Sequence, residues 1–177
     1  MKTLALLRHG KSSWADPALR DFDRPLKRRG RVASTLMGKH LRRRGITFDV
    51  AIASPARRVV ETMAHLETGL GKPLRVHFVE DIYDASSEVL LEILRTVEDT
   101  AERVLLVGHN PGLQALALCL AADSDPLRPV IAEHYPTAAL ALIEPPATRW
   151  SNLQPGSGRV LDFLRPRDIT ESKAHPE

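Results

Sequence analysis

Three short segments of this 177-residue chain combine residue types that can hold and transfer an anion: Arg8-His9-Gly10, Ser54-Pro55-Ala56-Arg57-Arg58 and Gly108-His109-Asn110-Pro111-Gly112. Two imidazoles with Arg8 and Arg57 concentrate positive charge. Phosphate is the anion that suits them best, because a guanidinium grips its oxygens in pairs. Ser54-Pro55 and Asn110-Pro111 also read as helix starts, each a capping residue before a first-turn proline. A helix N-terminus offers free N–H groups and a partial positive charge to the same guest.

A neutral imidazole nitrogen can attack phosphorus and divide the transfer into two easier steps. His9 is the expected nucleophile, held neutral by its cationic neighbours. Gly10 is expected to take a strained turn, or to let the backbone pass close to the pocket. Arg8, Arg57 and His109 would stabilise the charge spread over the phosphoryl oxygens, with Ser12 and Asn110 as further phosphate contacts. Taken singly, each segment is an ordinary turn or helix start; their joint occurrence, each after an apolar run, favours the chemical reading. A metal held by His9 and His109 is the competing chemistry. Arg8 and Arg57 would repel it and no metal-ligand spacing accompanies the histidines, so neither metal nor cofactor is expected.

The elements that must position these segments are short apolar runs alternating with amphipathic stretches. Strands are expected at Thr3–Leu7, Phe48–Ala53, Arg75–Val79, Arg103–Val107, Ala138–Ile143 and Val160–Leu164. Helices are expected at Leu26–Arg44, from Pro55 to about Leu66, from Ser86 or Ser87, and at Gly112–Ala121. Their inward faces include Val32, Met37 and Leu41, then Val59, Val60 and Met63, then Val89, Leu90 and Leu94. This alternation implies an α/β fold with a mostly parallel sheet, helices on both faces and an antiparallel edge. In such sheets, sites form beyond the carboxyl ends of the strands, where all three segments fall.

Composition excludes several classes. With 43% hydrophobic and 27% charged residues the chain is an ordinary soluble one, and its length suits a single domain, 1–169, with a polar tail at 170–177. One cysteine, Cys119, rules out an intrachain disulfide and favours a reducing compartment. No run approaches a membrane span, and the N-terminal apolar stretch is too short for a signal peptide, so a cytoplasmic protein without membrane contact is expected. Net charge is +3, with basic runs at Lys27–Arg31 and Arg42–Arg44. Lacking aromatic platforms, these runs read as solvated helix faces and no nucleic-acid partner is expected.

The segments resemble the histidine phosphatase superfamily, which includes the cofactor-dependent phosphoglycerate mutases. The resemblance rests on Arg8-His9-Gly10, on Arg57 as the arginine of Ser-Pro-x-x-Arg, and on Gly108-His109. Arg8–Ser12, Asp23-Arg24-Pro25-Leu26, Ile82-Tyr83-Asp84-Ala85, Gly108–Gly112 and Tyr135-Pro136-Thr137 look most like the short SixA-type phosphohistidine phosphatases. The likeness spans roughly residues 3 to 166 and implies a three-layer α/β/α sandwich of phosphoglycerate mutase-like type, a His9 nucleophile and no metal. Two positions depart from the mutase-like pattern: Lys11 replaces a glutamate and Ala15 an asparagine. The family's acid, a glutamate between the second arginine and second histidine, has no clear counterpart; of Glu80, Asp81 and Asp84, Asp81 is preferred.

A weak acid suits a leaving group that needs little help, such as the imidazole of phosphohistidine. The short span from Arg57 to His109 leaves little room for a lid and so admits a protein side chain. The sequence therefore points to a phosphohistidine protein as substrate. Two alternatives remain open: a small phosphate ester or phosphoanhydride as substrate, and a non-catalytic phosphate-binding protein on the same fold.

Overall fold

In a computed structural model that describes residues 1–171, the chain builds one six-stranded sheet. The strands are β1 (Thr3–Arg8), β2 (Val50–Ala53), β3 (Val76–Phe78), β4 (Arg103–Gly108), β5 (Leu140–Glu144) and β6 (Arg159–Leu164), in the order β3-β2-β4-β1-β5-β6. The first four are parallel; β5 runs antiparallel to β1, and β6 antiparallel to β5. All six expected strands are present, and the mixed edge lies where the short connection after β5 demands it.

Strand side chains alternate between two apolar layers. Leu4, Leu6, Val104 and Leu106 face one layer, covered by α3 (Ser87–Arg95), α4 (Gly112–Leu120) and α5 (Arg128–Glu133). Ala5, Leu7, Leu105 and Val107 face the other, covered by α1 (Arg28–Arg43), α2 (Arg57–Leu70) and α6 (Pro166–Glu171). Strands buried on both faces read as continuous apolar runs, which is why they were legible.

The helices differ from expectation in three ways. α2 begins at Arg57, not at Pro55, so Ser54 and Pro55 lie in the approach to the helix. α5 and α6 were not anticipated: each spans six residues, too few to show a period, and prolines begin or interrupt them. Val32, Val60 and Val89, expected inward, are exposed at 57%, 40% and 41%. α1 ends at Arg43, and Gly45 turns the chain at φ 67° as expected of a helix-closing glycine. Of the expected polar tail, 170 and 171 close α6, and 172–177 lie outside the described residues. Among the described residues no helix is long and apolar enough to cross a membrane.

Candidate functional site

The sheet itself brings the two histidines together. β1 and β4 are adjacent and parallel, with Arg8 opposite Gly108, so the next residue of each strand is a histidine at the same rim. The His9 backbone N–H donates to the Gly108 carbonyl at 3.1 Å, and the two rings lie 5.2 Å apart, centroid to centroid. Both residues are buried, at 7% and 6% exposure.

Each ring is fixed by one hydrogen bond. Nδ1 of His9 lies 2.7 Å from the Gly10 carbonyl oxygen, which can only accept. The proton therefore sits on Nδ1, and Nε2 keeps its lone pair. Nε2 of His109 lies 2.7 Å from Oγ of Ser54, and Nδ1 of His109 is buried without a partner. Ser54 thus orients a site imidazole, a role its reading as a helix cap did not suggest.

Burial, followed by the charges of Arg58, Arg8 and Arg24, holds the His9 imidazole down to about 4 from its usual 6.5, against the opposing pull of the Gly10 carbonyl. Burial, then His9, Arg58 and Arg8, takes His109 down to about 3, with Asp21 opposing. Both rings are neutral at pH 7. The neutral ring expected at His9 is thus present, but desolvation outweighs the cations as its cause.

Three guanidinium groups surround the rings. Arg8 donates from Nη1 to the Tyr135 carbonyl at 2.9 Å, and its buried Nε has no partner. Arg58 donates to the Asp21 carbonyl at 2.8 Å and to Oδ2 of Asp21 at 3.0 Å. Arg24 donates to Oδ1 of Asp21 at 2.8 Å, to the Ser13 carbonyl at 3.0 Å and to Oγ of Ser12 at 2.5 Å. Tyr83 donates its hydroxyl to Oδ2 of Asp21 at 2.7 Å and presents its ring at 80° to His109. Hydrogen bonds from Tyr83, then Arg24, together with the charge of Arg58, hold the Asp21 carboxyl well below the usual carboxylate range.

Arg57 requires correction. Counted from Ser54, Ser-Pro-x-x-Arg ends on Arg58, and Arg58 is the buried arginine beside the imidazoles. Arg57 lies on the outer face of α2, with a side chain 53% exposed and its Nε 3.2 Å from Glu61. The signal was in the period of α2: Val59, Met63 and Leu66 define a buried stripe that takes in Arg58 and Thr62, whereas Arg57 and Glu61 share the opposite face.

The other predicted contacts are placed as follows. Ser12 is buried and bound to Arg24, so it reaches the site through that arginine. Asn110 donates to the Tyr135 carbonyl at 3.2 Å and accepts from the Gln114 backbone N–H, bracing the turn after β4. Asp81 is exposed and lines a groove between β3 and α3; of the three carboxylates considered, Asp84 is the one lining a cleft of about 560 Å³ beside His109 and Asn110. Asp81, the position preferred for an acid, is thus not brought to the imidazoles.

Gly10 is not at positive φ; its glycine requirement is one of approach. A Cβ there would lie 2.8 Å from the Gly30 carbonyl oxygen, and one on Gly30 would collide with the Lys11 carbonyl oxygen. The first turn of α1 therefore rests directly on the loop after His9. From the other side, Thr62 accepts the Gly10 N–H at 2.9 Å and donates to the Arg58 carbonyl at 2.6 Å. Nucleophile loop and arginine helix are tied through one hydroxyl.

A buried pair of neutral imidazoles, one with a free Nε2, ringed by three cations with an unpartnered Arg8 Nε, can hold an oxyanion beside an unprotonated ring nitrogen. The family model of the histidine phosphatase superfamily (branch 1) matches residues 4–86. An uncharacterised protein of Mycobacterium tuberculosis is 35% identical over 91% of this chain and 100% of its own. Among solved structures, the candidate phosphohistidine phosphatase SixA of Agrobacterium tumefaciens superposes with a TM-score of 0.79 at 27% identity, over 93% of this chain and 97% of the other. Its counterpart from Nakamurella multipartita gives 0.81 at 26%, over 93% and 96%. With the two strand-end histidines and the arginines around them arranged in that same fold, the chain belongs to the histidine phosphatase superfamily.

Proposed function

We propose that this phosphatase takes the phosphoryl group onto Nε2 of His9 and that its substrate is phosphohistidine in a protein. The observation that carries the reading is the Nδ1 hydrogen bond of His9 to the Gly10 carbonyl, which leaves Nε2 unprotonated on a ring that stays neutral to about pH 4. In the first half-reaction the Nε2 lone pair forms the new N–P bond while the substrate's own N–P bond breaks. That electron pair returns to the substrate imidazole, which takes a proton from solvent. In the second, water attacks phosphorus, gives up a proton, and releases phosphate and His9. Arg8, Arg58 and Arg24 balance the charge on the oxygens in flight.

The choice of phosphohistidine rests on the leaving group. Asp21, the carboxylate bound to the site arginines, is held ionised and has no proton to give. An alkoxide needs such a proton; a departing imidazole needs much less help. The SixA proteins that the chain resembles, named as candidate phosphohistidine phosphatases, support the same substrate. The test is rapid-quench labelling with a phosphohistidine protein and a panel of sugar and nucleotide phosphates. Acid-labile, base-stable label on His9, absent from His9→Ala, is expected, with the protein substrate turned over best. Efficient clearance of small esters with phosphohistidine proteins left intact would overturn the substrate. Absence of both label and turnover would leave a phosphate-binding protein.

A further inference from the structure

A groove of about 840 Å³ runs along the first turns of α1, away from the imidazoles. One wall is α1, with Arg28 and Arg29 above the aliphatic Val32 and Leu36; the other is Val130 with Pro136 and Thr137. Lys11, two residues after His9, lines it as well.

Both walls are hydrogen-bonded to the nucleophile segment. The Lys27 N–H donates to the Lys11 carbonyl at 2.8 Å, and the Ala138 N–H lies 3.1 Å from the Arg8 carbonyl and 3.0 Å from that of His9. The groove therefore flanks the segment that carries His9.

The groove's charge is one-sided. Lys11, Arg28 and Arg29 enter no ion pair among the described residues, whereas Arg165 and Arg167, also on the lining, already engage Asp168. Glu133 is the acidic residue on the lining. Arg28 and Arg29 also occupy the first turn of α1, which carries no acidic residue. A helix N-terminus disfavours cations, so their placement costs α1 stability and needs another reason. The exposed Val32 beside them adds apolar surface to the same groove.

We infer that this groove docks an acidic amphipathic segment of the phosphoprotein substrate, its carboxylates on Lys11, Arg28 and Arg29 and its apolar side on Val32, Leu36 and Val130. The inference rests on the protein-substrate reading above and adds what such a substrate must carry next to its phosphohistidine. Charge complementarity selects an acidic partner. The aliphatic floor selects a peptide over a nucleic acid, which would call for stacking aromatic surfaces.

The test uses two labelled peptides with one central histidine and one apolar strip, flanked by glutamates in the first and lysines in the second. Binding of the unphosphorylated peptides is measured by fluorescence anisotropy, and hydrolysis of their phosphohistidine forms beside that of phosphoimidazole. The wild type is expected to bind the glutamate peptide about tenfold more tightly at low salt, with the preference shrinking as ionic strength rises. Arg28→Glu/Arg29→Glu should abolish the preference and raise KM for the phosphorylated glutamate peptide about tenfold while leaving phosphoimidazole turnover unchanged. Because glutamates suit a helix start, that loss cannot come from unravelling α1. Glu133→Gln should strengthen binding of the glutamate peptide.

Equal binding of both peptides, binding of neither, an Arg28→Glu/Arg29→Glu variant that keeps the preference, or tighter binding of a single-stranded oligonucleotide would each overturn the docking surface. Preferential binding of the glutamate peptide without hydrolysis of any phosphohistidine form would leave the groove standing and remove the substrate assignment.

Discussion

In the proposed reaction the attacking histidine has to be unprotonated, and His9 is kept so by burial more than by its cationic neighbours. Its ring signals, followed by NMR, should titrate near 4, and those of His109 near 3, both well below the usual 6.5. An unfolded histidine binds a proton near 6.5 and the folded His9 near 4, so its contribution to stability is complete above 6.5 and is lost as pH falls toward 4. Thermal midpoints should drop over that window in the wild type and less steeply in His9→Gln. The two adjacent arginines separate by function at this scale. Arg58→Ala should lower kcat/KM by about a hundredfold or more, as loss of a charge-stabilising donor does. Arg57→Ala, removing an exposed partner of Glu61, should stay within about twofold. Steady-state kinetics on one phosphohistidine substrate decides both.

At the scale of elements, the site is a junction of α1, α2 and the ends of β1 and β4, and its precision depends on close contact between them. Gly30 lets α1 sit on the Lys11 carbonyl, and Thr62 ties α2 to Gly10. Gly30→Ala forces a Cβ into that carbonyl and should cost about 1–3 kcal/mol of stability, read in urea melts, with a larger fractional loss of activity than of folded protein. Asp21 sits in the 3-10 turn 21–23 and locks Arg24 and Arg58 together with Tyr83. Asp21→Asn should lower kcat about tenfold with little change in melting temperature, because its carboxylate is partly exposed and its main work is orientation.

At the scale of the whole molecule, a sheet buried on both faces ties the two apolar layers into one cooperative unit. Leu106 is fully buried at the centre of β4, facing the layer under α3 and α4. Leu106→Ala should destabilise by about 2–5 kcal/mol in denaturant titration and leave the rings' hydrogen bonds unchanged. The long-range order also explains the site's economy. Strand order β2-β4-β1 places three carboxyl ends side by side, so residues about fifty positions apart converge without any long loop to gather them.

Much of this was legible in the chain itself. Apolar runs buried on both faces identified β1, β2, β4 and β5, whereas the partly exposed β3 and β6 were read as short stretches between turns. Arg8, His9 and His109, at the strand ends, stood out because charged and imidazole groups follow buried strands only where something offsets them. Local chemistry of that kind is written in adjacent residues. Whether Arg57 or Arg58 faces the imidazoles is a matter of rotation about a helix axis, decided by which face of α2 packs on the sheet. That Ser54 orients His109, that Asp21 clamps two arginines, and that Asp81 lies in a different groove from His109 are likewise contacts between distant segments. The identity of the chemistry resided in local order; the partner of each side chain was decided only when the helices closed over the sheet.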